Sequence, residues 1–260
     1  MTRRIENRPP RILVTNDDGL NANGLKVLER VARTLSDDVW VVAPEVNQSG
    51  AAHSLTLTRP LRVRRLDERH AAIDGTPTDC VLIALQHLIP DRPVDLVLSG
   101  VNHGHNLGED VTYSGTIAAA MEATLFRVPA VALSQACGDR ANIRWATAER
   151  YAPPILRRML DMPWPEDFLV NMNFPDLEPE AVQGWRVARQ GKRKIGDTLV
   201  ERIDPRGEPY IWIGALREST DPGEGTDLAA IAAGYVAVTP VHLDMTHHPS
   251  LETLHRHLEG

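Results

Sequence analysis

The sequence predicts an α/β fold built on a mainly parallel, doubly wound sheet. Residues 11–42 read strand, helix, strand, a βαβ unit that requires its two strands to run parallel. The same alternation of apolar strands and amphipathic helices continues to residue 133. A chain of 260 residues, 42% hydrophobic and 24% charged, can bury a full core without disulfides.

Residues 11–15 form an apolar strand ended by the turn residues Asn16, Asp17, Asp18 and Gly19. Leu25, Leu28, Val31, Ala32 and Leu35 share one face of a helix over 24–35. The strand at 39–42 follows, stopped by Pro44, and short strands are expected at 61–64 and 71–74. Thr76, Pro77 and Asp79 have the spacing of a capping box with proline in the first turn, opening a helix to about 89. Val81, Leu82, Leu85 and Leu88 face inward on it. The strand at 96–98 leads into a Gly/Asn-rich loop over 99–113, a helix over 114–126 and a strand at 130–133. A helix over 148–160 has Pro153 and Pro154 in its first turns, which blurs its start. Strands at 169–173 and 235–239 return to the sheet, and Thr226 and Asp227 cap a short helix between them. Two strand-like pieces, 185–188 and 210–213, flank a polar segment and suggest a protruding hairpin arm at about 185–220. Residues 1–10 are expected as a flexible tail and 11–260 as one domain.

The tail lacks the apolar core of a signal peptide, and the longest apolar stretch, 228–238, is too short to span a bilayer, so the expected location is cytoplasmic. Cys80 and Cys137 match no metal or redox spacing and read as reduced thiols, Cys80 in the core. A net charge of −7 disfavours coating a nucleic-acid polymer but leaves a small phosphorylated substrate open, because a bound cation reverses the local field.

In an open parallel sheet, ligands bind outside the carboxyl ends of the strands, where the strand order reverses. Three polar loops leave such ends: 16–19, 44–50 and 99–108. Asp17 and Asp18 are adjacent carboxylates at a buried strand end, where a divalent cation would relieve their repulsion. With Ser49 and Asn102 as further candidate ligands every donor is oxygen, which favours Mg²⁺ or Mn²⁺ over zinc. Asn16 lies in the first loop and joins the candidate substrate-binding residues. The helix opening at Ser114, Gly115 and Thr116 would aim its first amides at the same crevice. His103 and His105 read as residues lining or covering a pocket, His247 and His248 as part of an exposed tail, and Lys192, Arg193 and Lys194 as a solvated hairpin tip ahead of the alternative that they meet a distal phosphate. No GxxxxGK(S/T) or GxGxxG pattern occurs, which argues against a P-loop ATPase and a nicotinamide dehydrogenase. Haloacid-dehalogenase-type phosphatases separate their two aspartates by one residue, and here the two are adjacent.

The segments 12–19, 42–50, 75–80, 99–108, 113–123 and 234–240 resemble the successive motifs of the SurE family of nucleotidases. The resemblance spans about 11 to 244 and is weakest over 175–221. It implies a Rossmann-like three-layer α/β/α sandwich and a homodimer or homotetramer joined through the C-terminal hairpin arm. It also implies 5′-nucleotidase activity on nucleoside monophosphates, with 3′-nucleotides and short polyphosphate taken by some members. The family's metal ligands correspond to Asp17, Asp18, Ser49 and Asn102, and Asn106 with Ser114, Gly115 and Thr116 match positions around the phosphate. Asp17, Asn106 and Ser114 are then the expected catalytic groups. Two other classes stay open on the residues alone: a phosphatase with Asp17 as covalent nucleophile, and a nucleotide-binding regulator without turnover.

Overall fold

The computed structural model describes residues 8–89, 91–139, 141–218 and 222–259. Its first unit is β1 (Ile12–Thr15), α1 (Asn23–Arg33) and β2 (Val39–Pro44), with β2 parallel to β1. The strands β3 (Val63–Arg65) and β4 (His70–Ile73) extend that edge, β4 parallel to β2 and β3 antiparallel to β4. After α2 (Pro77–Ile83) the chain crosses to the other side of β1 as β5 (Leu96–His103). It then continues outward through α3 (Gly115–Leu125), β6 (Ala130–Gln135), α4 (Trp145–Leu160) and β7 (Phe168–Phe174). The sheet closes with β8 (Trp185–Val187) at the far edge, outside β11 (Val236–His242), which is antiparallel to β7 and parallel to β8. The nine-strand order is β3-β4-β2-β1-β5-β6-β7-β11-β8, so the reversal of direction falls between β1 and β5.

Burial on both faces explains the apolar run of β1. Ile12 and Val14 pack with Leu25, Leu28 and Ile155 from α1 and α4, whereas Leu13 packs with Cys80, Val81 and Ile117 from α2 and α3. The period-two alternation therefore feeds two cores, one per face, and the architecture is a three-layer α/β/α sandwich. All three β1 side chains are 0% exposed, and burial at that level contributes roughly 1.5–3 kcal/mol each. The capping box is present: Asp79 N donates to Thr76 Oγ1 (3.1 Å) and Thr76 N to Asp79 Oδ2 (2.8 Å). The helix it opens is α only to Ile83 and continues as a π-helical turn over Ala84–Leu88.

Several expectations are corrected. The helix placed at 148–160 begins at Trp145, so Pro153 and Pro154 fall inside it. The carbonyls they leave without helical partners belong to Glu149, which is half-buried, and Arg150, which is exposed. The arm is built from β9 (Lys194–Ile203) and β10 (Pro209–Glu218), a separate antiparallel pair. Residues read as its polar tip are thus strand, and the turn lies at 204–208. Trp185 belongs to the main sheet instead, with the Arg158 guanidinium 5.1 Å from its ring centre. The short helix capped by Thr226 is α5 (Asp227–Ala232). The expected exposed tail at His247 and His248 is a helix, α6 (His248–Leu258), with no buried residue. Of the expected N-terminal tail, residues 1–7 lie outside the described residues, while Arg8 donates to both carboxylate oxygens of Asp95 (2.9 and 3.2 Å). Among the described residues no helix is long and apolar enough to cross a membrane.

Candidate active site

The loops after β1, β2 and β5 meet beside the N-terminus of α3, at the reversal of strand order. Gly100, in β5, has φ +132, and a Cβ there would lie 2.2 Å from the Leu133 carbonyl of β6. Glycine thus lets the end of β5 press against its neighbour and deliver Asn102 and His103 to the crevice. The loop carrying Ser49 is tied down at three points. Gln48 N donates to Asp17 O (2.7 Å), His53 Nε2 meets Glu122 Oε2 (2.9 Å), and Thr56 N and Oγ1 both donate to Asp79 (3.0 and 2.6 Å).

Asp17 is 4% exposed and sits over the first turn of α3. A Cβ on Gly115 would come within 2.8 Å of the Asp17 Cβ, so only glycine admits this approach. The Thr116 hydroxyl donates to Asp17 Oδ1 at 2.5 Å, and the Thr116 amide also favours the charged carboxylate. Burial nevertheless dominates and, with a smaller push from Asp18, holds the Asp17 carboxyl up at about 6. Asp18 is half-buried; its Oδ2 accepts the His103 amide at 3.0 Å. Asn102 commits its side-chain amide to Gly104 O (3.0 Å), so Oδ1 is the atom it can offer a cation.

Asp17, Ser49, Asn102, Asn106 and Ser114 all line one cavity of about 420 Å³, together with His103 and His105. Asp18 instead borders a second cavity of about 450 Å³, with Asn23, Asn47, Asn142 and Trp145, and His103 lines both. Ser114 is the N-cap of α3, accepting the Ile117 amide at 3.1 Å. Asn106 is 6% exposed and held by a buried polar network. Its Nδ2 donates to Ser134 Oγ (2.8 Å), its backbone N to Asn173 Oδ1 (2.8 Å), and its carbonyl accepts Asn171 Nδ2 (2.8 Å) and Asn173 Nδ2 (3.1 Å).

Three expected substrate groups are not among the residues lining this cavity. Asn16 is 0% exposed and turns its Nδ2 to Gly19 O (3.0 Å), stabilising the turn instead of lining the cavity. Gly115 and Thr116 face Asp17, so the positive end of α3 acts on that carboxylate. Sequence reading also missed Asn171 and Asn173, whose signal was two amides spaced by two within an otherwise apolar strand. Arg193 was misplaced: it is buried and lines the cavity.

The residues suit a divalent cation. The contacts of the buried Asp17 carboxylate are neutral donors, and no Lys, Arg or His pairs with it among the described residues. Among those residues no three His, Cys, Asp or Glu side chains gather so as to hold a metal ion, so a cation here would rest on two carboxylates and neutral oxygens. That donor set matches Mg²⁺ or Mn²⁺ better than zinc.

The family described as Survival protein SurE matches this chain over residues 12–197, more than half its length. The chain belongs to the SurE family. A relative from Paramagnetospirillum magneticum, the 5′-nucleotidase SurE, is 55% identical over 244 residues, covering 94% of each chain. The 5′-nucleotidase SurE of Brucella canis is 56% identical over 241 residues, covering 92% of this chain and 94% of its own. The crystal structure of the SurE protein from Aquifex aeolicus superposes with a TM-score of 0.85 at 41% identity, covering 96% of this chain and all of that one.

Proposed function

We propose that this chain is a metal-dependent 5′-nucleotidase, hydrolysing nucleoside 5′-monophosphates to nucleoside and phosphate. The 5′-nucleotidase assignment rests on the relatives at 55–56% identity over more than nine-tenths of the chain. The observation that supports metal dependence is Asp17: a buried carboxylate beside Asp18, facing a cavity, with only neutral partners. Mg²⁺ or Mn²⁺, held by Asp17, Asp18, Ser49 and Asn102, would polarise a phosphate oxygen and acidify a nearby water.

The protein's own groups have distinct tasks in this reading. Thr116 and Gly115 fix the Asp17 carboxylate, which in this reading takes the proton of the attacking water. The Ser114 hydroxyl and the second N–H of the Asn106 amide donate to the phosphate oxygens on which charge gathers in an in-line displacement. Asn171, Asn173 and Ser134 hold Asn106 rigid, so no reorganisation is needed as that charge develops. Phosphate release from AMP and GMP with added Mn²⁺ tests the function, with 3′-AMP and short polyphosphate run alongside. Activity is expected to vanish with chelator and return with Mg²⁺ or Mn²⁺; full turnover after dialysis against excess chelator overturns the metal requirement.

The arm is proposed to join copies of the chain into a dimer or tetramer. Leu199, Ile203, Ile211, Trp212 and Ile213 are each at least 60% exposed on a two-stranded ribbon that is marginal alone in water. A second copy supplies the missing surface.

A further inference from the structure

The phosphate of a nucleotide is a dianion near neutrality, yet the cavity that faces it carries the carboxylates of Asp17 and Asp110 on its walls. Among the described residues lining it, Arg193 alone bears a permanent positive charge. Its position is built. The side chain is 9% exposed, and Nη2 donates to Asp110 Oδ2 at 2.6 Å. The Arg193 amide donates to Glu109 Oε2 at 3.0 Å. Two residues earlier, Gly191 N donates to Asp227 Oδ1 (2.8 Å), while Asp227 Oδ2 accepts Gly108 N (2.9 Å). One buried carboxylate thus clamps the segment leading to Arg193 against the loop that carries Asn106. A guanidinium presents its N–H donors in a planar fork, and that fork matches phosphate geometry.

We propose that Arg193 binds the substrate phosphate, with Asp110 orienting it as a positioning residue. The inference rests on the phosphatase reading and adds the phosphate-recognition group to it. The competing account is that Arg193 only neutralises Asp110, whose bare charge would otherwise repel the substrate. Direct contact and neutralisation separate in a double variant. Arg193→Gln should weaken competitive inhibition by inorganic phosphate and raise KM for AMP, each on the order of 10- to 100-fold, the range for a hydrogen bond to a charged group. Arg193→Lys should fall between wild type and Arg193→Gln, because charge survives and the fork does not. Arg193→Gln combined with Asp110→Asn should stay as impaired as Arg193→Gln alone. Lys192→Ala, one residue away and exposed, should match wild type.

Recovery of phosphate affinity in the double variant overturns direct contact, as does a less than twofold change in Arg193→Gln. Circular dichroism checks folding; should Arg193→Gln fail to fold, Arg193→Lys against the wild type carries the comparison, and a less than twofold loss of phosphate affinity in it overturns direct contact. Calorimetric titration of inorganic phosphate into the Mn²⁺-loaded proteins reads Arg193 independently of turnover. Failure of the unaltered protein to hydrolyse AMP would therefore count against the phosphatase reading alone.

Discussion

Replacing Asp17 by Asn should stabilise the metal-free protein. In the fold, burial holds the Asp17 carboxyl at about 6 against an ordinary value of 3.8. The folded chain therefore keeps this proton more tightly than the unfolded chain. Its stability is full below pH 3.8, falls as pH rises toward 6, and carries the whole penalty above it. At 1.36 kcal/mol per pKa unit, the ionised carboxylate costs about 3 kcal/mol at neutral pH. Asparagine has no charge to bury, and its Oδ1 can still accept the Thr116 hydroxyl. Urea unfolding in excess chelator should show Asp17→Asn more stable by about 3 kcal/mol at pH 7.5, narrowing to under about 1 kcal/mol near pH 4. Added Mn²⁺ should reverse the order: a thousandfold excess over Kd stabilises a binder by ~4.1 kcal/mol, more than the ~3 kcal/mol penalty, and only the wild type binds well. An Asp17→Asn protein no more stable than wild type at pH 7.5 in chelator, or a gap that does not close toward pH 4, refutes this account of the site.

Asp18→Asn should weaken Mn²⁺ binding by more than the ~10–100-fold typical of losing an outer partner, with far-ultraviolet dichroism unchanged; calorimetry showing less than a tenfold loss contradicts its role as a ligand. Trp212→Asp with Ile213→Lys, which places two charges on the exposed ribbon, should lower the mass measured by light scattering while leaving the domain folded; an unchanged mass argues against assembly through the arm.

Much of this fold was legible in the sequence because its determinants are local. The apolar run of β1, the helical period of α1 and the Thr76/Asp79 capping box depend on residues within one or two turns of one another. Together with the strand-end rule, they placed the loops of Asp17, Ser49, Asn102 and Asn106 at one end of the sheet, where four of those side chains line a single cavity. Local patterns mislead where a distant partner decides. Thr116 and Asp17 lie 99 residues apart in the chain, and only packing turned that hydroxyl to the carboxylate and away from the cavity. Arg193 reads as a solvated tip because two other basic residues flank it; burial came from Asp110, 83 residues upstream, and from the clamp at Asp227. The same holds for Pro153 and Pro154, tolerated inside α4 because buried Ile155, Leu156 and Met159 anchor that helix to the sheet. Local free energies set which elements form; which side of each element meets the site is set by long-range burial and hydrogen bonding, and those appear only once the layers have packed.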